Sequence, residues 1–216
     1  MIVYLHSFDS RYAGRTFGRH IGMDVRHISV PELTDPKQIA DVVVAGLKEE
    51  ERSAPEGSID LLVIVSDGGP GYFTLSGGLE DEYFWIDEER VGHFAKPFAP
   101  LLRSEKDLGE GVEIHGCSPA AAEIDIATGK ASDPEAGRRF IGKLASTFGH
   151  RVKASADAGL AGIDEDYEDS LVEAWPSTDV SGEAEIRIVR DMGFVVGFGT
   201  SSRLEATAGI DPGSVL

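Results

Sequence analysis

The sequence is short of the features that mark exported, membrane-spanning or disulfide-bonded proteins. One cysteine among 216 residues cannot form an internal disulfide, so cysteine usage does not indicate the redox compartment. No stretch approaches the roughly 20 apolar residues of a membrane-spanning helix. No basic residue precedes the first apolar run, MIVYL, so no signal peptide is visible. We therefore expect a soluble, cytoplasmic protein, or a secreted one if the chain belongs to a larger exported protein.

Basic residues are also scarce. The chain has 20 Lys and Arg against 38 Asp and Glu, which gives a net charge of −18. Such a surface repels nucleic acids and anionic membranes, so we expect neither as a partner. A peptide or protein is the expected substrate or partner, and the charge suits either solubility or the attraction of cationic peptides. The oligomeric state is not indicated.

Apolar residues, in contrast, are present in the proportion that a folded core requires. They make up 41% of the chain, and 216 residues suit one large domain. We expect this domain to span residues 1–200. The remaining residues, 201–216, are expected to form a mobile tail.

Hydrophobic patterning predicts strands that alternate with helices. Continuous or alternating apolar runs predict strands at 1–8, 24–31, 59–66, 111–117 and 151–156. Helical spacing, proline positions and caps predict helices at 34–52, 87–105 and 133–150, the last with an Asp cap and a stop at Gly149. This alternation predicts an α/β fold with a mainly parallel sheet covered by helices.

Three further stretches have weaker patterns. YFTL and YFWI, separated by SGGLEDE, predict a small hairpin at the edge of the sheet. The acidic segment 157–184 is expected to be loop-like, and 185–200 to form a last strand or hairpin. No repeat or internal domain boundary is visible.

Polar residues follow two of the predicted central strands. One strand ends in Ser66-Asp67-Gly68 and the other in His115-Gly116-Cys117. In open α/β sheets, ligands and reacting groups gather at the carboxyl ends of the strands. We therefore expect these two strand ends to form one site.

At these stretches the sequence resembles the caspase-like cysteine peptidases. Within that group it is most similar to a bacterial domain of unknown function found near the start of large secreted, adhesin-like proteins. SDGGPG (66–71) resembles the motif Ser-His-Gly-x-x-Gly of that domain, and HGCSPAA (115–121) resembles Tyr-Gly-Cys-x-x-Ala. The likeness continues through GRRFIGKLASTFGHRVKAS (137–155) and covers roughly residues 30 to 165.

The resemblance implies both a fold and a catalytic apparatus. The fold would be a three-layer sandwich. Cys117 would be the nucleophile, and the backbone amides of Gly68 and Cys117 would bind the carbonyl oxyanion. No cofactor and no metal would be required.

The sequence departs from the family at the dyad histidine, where it has Asp67. A cysteine peptidase needs a thiolate, and a free thiol has a pKa of about 8.5. Imidazolium lowers the pKa of a neighbouring thiol and passes a proton to the leaving amine, whereas a carboxylate raises that pKa. Asp67 therefore predicts a weak catalyst or none.

Other residues could compensate for this loss. His115 lies two residues before Cys117 and, in a strand, points to the same face, so it is a possible substitute base, although filling the family's aromatic position is the simpler interpretation. Asp67, His115 and Cys117 together could also bind zinc, but their spacing is not that of a known zinc motif. His6 ends the first strand and could approach the same edge.

Three functions remain open from the sequence. The first is a catalytically impaired caspase-like domain that binds a peptide or partner without cutting it. The second is an active cysteine endopeptidase with Cys117 as nucleophile and a substitute base such as His115. The third is a structural or assembly module with a vestigial cleft.

Overall fold

The structure is a computed structural model. It describes residues 1–10, 13–48, 56–78, 80–104, 109–116, 119–121, 123–125, 130–156, 171–176 and 184–190. The expected tail at 201–216 and the expected nucleophile Cys117 lie outside these residues.

A seven-stranded sheet forms the centre of the fold. Its strands are β1 (Ile2–His6), β2 (Val25–Ser29), β3 (Leu61–Val65), β7 (Gly111–His115), β10 (Val152–Ser155), β11 (Leu171–Trp175) and β12 (Glu185–Arg190), and β4–β6, β8 and β9 belong to two smaller sheets. From one edge of the sheet to the other, the strands follow the order β2, β1, β3, β7, β10, β11, β12. The first five in this order are parallel, and β11 and β12 are antiparallel to their neighbours. The prediction of a mainly parallel α/β sheet is confirmed.

The α-helices among the described residues pack on one face of the sheet. They are α1 (Ile39–Lys48), α2 (Val91–Phe98) and α3 (Ala136–Phe148), and their apolar sides share a core with Val3, Ile64 and Ile114. Right-handed crossovers explain this placement. The connections that carry these helices, β2 to β3, β3 to β7 and β7 to β10, all step across the sheet in the same direction.

The β1 to β2 connection steps the opposite way, so the same rule puts it on the other face. Residues 13–24 of this connection, which we call the strap, cover an apolar strip of that face. Phe17 of the strap is buried against a cluster that includes Tyr4 and Val63. In the part of the chain that the structure describes, the strap contains a 3-10 turn and no α-helix.

Two small antiparallel sheets complete the description. The predicted hairpin is present as a three-stranded sheet of β4 (Asp67–Gly69), β5 (Tyr72–Thr74) and β6 (Trp85–Asp87). A second pair joins β8 (Glu123–Asp125) and β9 (Lys130–Asp133), which the sequence did not predict.

Three local predictions require correction. The segment 157–184 is not loop throughout, because β11 lies within it and turns Val172 and Ala174 inward. Helix α3 begins at Ala136 without a side-chain cap, since Asp133 ends strand β9. In the described part of the predicted helix 87–105, residues 87–104, the helical elements are α2 and a 3-10 turn (Ala99–Leu101). The stop at Gly149 is confirmed, with a left-handed φ of 70°.

Candidate functional site

The ends of β3 and β7 lie side by side. The strands are adjacent and parallel, with Val65 opposite His115. Beyond this pair, the Ser66 amide donates a hydrogen bond of 3.0 Å to the His115 carbonyl. A Cβ added to Gly116 would lie 2.7 Å from the Ser66 carbonyl oxygen, so the two backbones touch here and only glycine fits. Cys117, the next residue, lies outside the described residues.

The loops that follow these strands are also bonded to each other. The Gly71 amide donates a hydrogen bond of 3.1 Å to the Pro119 carbonyl. Gly71 has a φ of 81°, a conformation that favours glycine. Ala121 is in turn bonded to α3, because the Gly137 amide donates a hydrogen bond of 3.0 Å to the Ala121 carbonyl. The two loops thus meet at the carboxyl edge of the sheet at two places, Ser66 with Gly116 and Gly71 with Pro119.

Asp67 and Gly68 belong to strand β4, which was expected to be a glycine turn. Asp67 is half-buried and pairs with Thr74 across the small sheet, and Gly68 pairs with Phe73. A Cβ on Gly68 would lie 2.6 Å from the Tyr72 carbonyl oxygen, which explains the glycine. The oxyanion role of the Gly68 and Cys117 amides stays a prediction.

His115 is buried and hydrogen-bonded. Its Nε2 lies 3.3 Å from Oε2 of Glu113, and its ring packs 4.5 Å from the ring of Phe17, centroid to centroid. Burial is the main cause that lowers the pKa of His115, and Glu113 opposes it. The imidazole is therefore part of the packing between the strap and the sheet.

Glu113 is the centre of a charge cluster that sequence reasoning missed. Its side chain is 3% exposed and accepts hydrogen bonds from Arg19 of the strap and Lys153 of β10, the latter at 3.5 Å. Burial alone would raise the pKa of Glu113, but the His115 hydrogen bond and the two cations lower it to about 2. One sign of this cluster is visible in the sequence, which is that Glu113 is a charged residue inside the otherwise apolar strand GVEIH.

A second polar group surrounds the end of β1. His6 is fully buried, and its Nε2 lies 3.0 Å from Nδ1 of His27 on β2. Burial, followed by His27, lowers the pKa of His6 to about 4. The Tyr4 hydroxyl lies 2.6 Å from Nδ1 of His20 in the strap. The sequence placed His6 near this edge but gave no sign of its histidine partner.

Two surface cavities lie elsewhere. One, of about 180 Å³, is lined by Asp35, Lys37, Tyr83 and His93 among others. The other, of about 400 Å³, includes Met23, Asp60 and Arg103. Neither is lined by Asp67 or His115. The candidate site at the carboxyl ends of β3 and β7 is thus marked by backbone contacts and glycines, and neither of these two cavities lies at it.

Comparisons with known proteins give no independent assignment. The chain matches no family model, no curated protein and no solved structure. Among the described residues, no cluster of three or more His, Cys, Asp or Glu side chains is arranged for a metal ion. No helix in this part of the chain has the length and hydropathy that crossing a bilayer requires. Function must therefore be inferred from the site alone.

Proposed function

We propose that the chain is a caspase-like domain whose catalysis is impaired and which acts by binding a peptide or a partner protein. The observation that carries this proposal is the side-by-side ending of β3 and β7, with Ser66 bonded to His115 and touching Gly116. Asp67 follows one strand and Cys117 follows the other, as the resemblance requires. Parallel α/β sheets serve many functions, so this proposal depends on the residues and not on the fold.

Impaired catalysis follows from the chemistry of the residue at the histidine position. A carboxylate beside a thiol opposes formation of the thiolate, and each pH unit by which it raises the thiol pKa costs about a factor of ten in nucleophile. A carboxylate is also a poor proton donor to a leaving amine near pH 7. Asp67 therefore supplies neither part of the missing imidazole's role.

The burial of His115 argues against its use as the substitute base. A general base must come within hydrogen-bonding distance of the proton it removes. His115 is 7% exposed, its Nε2 faces Glu113, and Phe17 packs on its ring. Moving this ring toward a substrate would leave the buried Glu113 with fewer partners. We therefore favour binding without cleavage over the active peptidase.

The reactivity of the single cysteine tests the proposal directly. The chain has one cysteine, so the rate of iodoacetamide alkylation reports Cys117 alone. We expect the pH midpoint of alkylation to lie above the value of about 8.5 for a free thiol. In Asp67→Asn, removing the carboxylate should lower this midpoint by about one unit and speed alkylation at pH 7 about tenfold.

A matched control separates local from overall charge. Asp41→Asn removes the same charge from the exposed side of α1 and should leave the alkylation midpoint unchanged. An unchanged midpoint in Asp67→Asn would mean that Asp67 and Cys117 do not share a site. Asp67→His, in contrast, should lower the midpoint further than Asn does.

Peptide hydrolysis tests the absence of cutting. Reporter peptides with Arg, Lys, Asp or Asn before the scissile bond should not be cleaved by the natural sequence, and binding of an uncleaved peptide should weaken when Cys117 is alkylated. Cleavage that Cys117→Ala abolishes would overturn the impairment and support the active endopeptidase. Unaltered binding after alkylation would instead support the structural or assembly module.

A further inference from the structure

We propose that the strap, residues 13–24, is an acid-opened cover, which lifts from the sheet when His6, His20 and His27 take up protons. This inference concerns the face of the sheet opposite the helices and does not depend on the proposed function. It starts from the gathering of four of the chain's six histidines, the fourth being His115, at the contact between the strap and that face.

His20 must be neutral for its observed hydrogen bonds to form. The Nε group of Arg19 can only donate, and it lies 3.2 Å from Nε2 of His20, which must therefore accept. Only the neutral ring with its proton on Nδ1 satisfies this contact. That proton is then donated to the Tyr4 hydroxyl, which also accepts the Phe17 amide at 3.0 Å. A proton added to Nε2 removes the acceptor and sets a cation against a guanidinium.

His6 and His27 can share one proton between their facing nitrogens but cannot hold two. Nε2 of His6 and Nδ1 of His27 are 3.0 Å apart, and the two rings are stacked 5.3 Å apart, centroid to centroid. The other nitrogen of His27 lies 2.9 Å from the hydroxyl of Thr16 in the strap. When both rings are protonated, Nε2 of His6 and Nδ1 of His27 both carry a hydrogen, so two donors face each other and two positive rings repel. Thr16 is the point at which this pair contacts the strap.

Other charged groups around the strap oppose or moderate the opening. Glu113 stays ionised above about pH 2, so its pair with Arg19 holds the strap throughout the relevant range. Glu113 also favours the charged form of His115, which makes that ring a weaker trigger. Among the described residues, the groups that surround the three trigger histidines include Tyr4, Arg19, Glu110, Glu113 and His115, with Lys153 on the far side of Glu113.

The direction and size of the effect follow from linkage. Burial is the main cause that lowers the folded-state pKa of His6 from 6.5 to about 4, and it also lowers that of His20. His27 is exposed on β2, and only the partial desolvation of its ring lowers its pKa. The closed form is thus fully favoured above pH 6.5 and loses stability as the pH falls toward about 4. If His6 regains its ordinary pKa on opening, that ring alone makes opening about 20-fold more favourable at pH 5 than at pH 7.

Hydrogen–deuterium exchange of the full chain at pH 7, 6 and 5, corrected for intrinsic exchange rates, tests this inference. Peptides from residues 17–23 should lose protection at least tenfold between pH 7 and 5, whereas α3 should keep its protection. His6→Gln should reduce this pH dependence and leave only the part that His20 and His27 contribute. His93→Gln, which changes an exposed histidine on α2, should leave it intact.

Three outcomes would overturn the inference. Protection of the strap could be independent of pH, or α3 could lose protection together with the strap, which would indicate global unfolding. His6→Gln could also retain the full pH dependence. Should that variant fail to fold, NMR titration of the histidine ring protons in the natural sequence decides the matter, because a His6 pKa at or above 6.5 would exclude the mechanism.

Discussion

Glu113 is a carboxylate in the middle of a buried strand, and its partners determine what it contributes. Removing one member of a buried ion pair is costly because the remaining charges stay buried without compensation. Here the charges left behind would be Arg19, whose side chain is one-third exposed, and Lys153, whose side chain is 20% exposed. Replacing Glu113 would also remove the charged carboxylate oxygen that lies 3.3 Å from Nε2 of His115.

Glu113→Gln should therefore lower the free energy of unfolding by about 3 kcal/mol at pH 7, since a pKa lowered from 4.5 to about 2 corresponds to that amount. A lowered carboxyl pKa stabilises the fold above pH 4.5, and this stabilisation is lost as the pH falls toward 2. Urea unfolding should consequently show a constant difference between the two proteins from pH 7 to 5 and a narrowing difference below about 4.5.

Glu135→Gln provides the matched comparison. Glu135 is about half exposed, and its ion pair with Arg138 spans 3.3 Å on the surface. Exposed pairs of this kind contribute about 0 to 1 kcal/mol. A loss in Glu135→Gln as large as that in Glu113→Gln would show that burial of the Glu113 cluster does not set its contribution.

Sequence reasoning predicted that the ends of β3 and β7 meet, but it did not predict what surrounds them. The glycines and polar residues after β3 and β7 are adjacent in the chain to apolar runs, so Asp67 and Gly116 could be located from spacing alone. The partners of His115 could not be found in this way. Glu113 is two residues away, but Phe17 and Arg19 come from the strap, and no local pattern indicates which face of the sheet the strap crosses.

At the scale of elements, two glycines associated with helices have different backbone conformations. Gly149 ends α3 in a left-handed conformation that an L side chain adopts only with strain. Gly92, near the start of α2, has no such conformation, and a Cβ there would meet nothing closer than a Lys96 carbon at 3.9 Å. The same substitution should therefore have opposite effects at the two positions.

Gly149→Ala should lower the free energy of unfolding by about 1 kcal/mol through backbone strain. Gly92→Ala should raise it by about 0.5 kcal/mol, because alanine restricts the unfolded chain and has the higher helix propensity. Thermal or urea unfolding of the two variants provides the measurement. Effects of the same sign would mean that at least one of these glycines is present for another reason.

Elements with strong hydrophobic patterns were predictable, whereas elements defined by their neighbours were not. LLVIV of β3 is buried at every position, and α3 repeats apolar residues at helical spacing. Strand β11, LVEAW, alternates correctly but lies in an acidic segment whose composition is typical of a loop. Strand β4 contains two glycines and exists because β5 pairs with it. Pairing energy of this kind is not visible in the strand's own sequence.

At the scale of the whole molecule, the order of the strands determines which face of the central sheet is covered by α-helices and which by the strap. Crossovers in one direction stack the α-helices of the described residues on one face, whereas the single reverse step puts the strap on the other face. Polar networks are concentrated under the strap. A cover whose contacts include histidines can respond to pH without loss of the helical core.

The net charge of −18 gives the last prediction at this scale. Like charges on a compact fold repel, and raising the ionic strength from 0.01 to 0.15 M shortens the screening length from about 30 to about 8 Å. The melting temperature at pH 7 should therefore rise with sodium chloride, and the rise should shrink near pH 4.6, where the net charge vanishes. Choline chloride should reproduce the effect, since screening is independent of the cation. A melting temperature that falls with salt at pH 7 would show that attractive pairs such as Arg19 with Glu113 outweigh the overall repulsion.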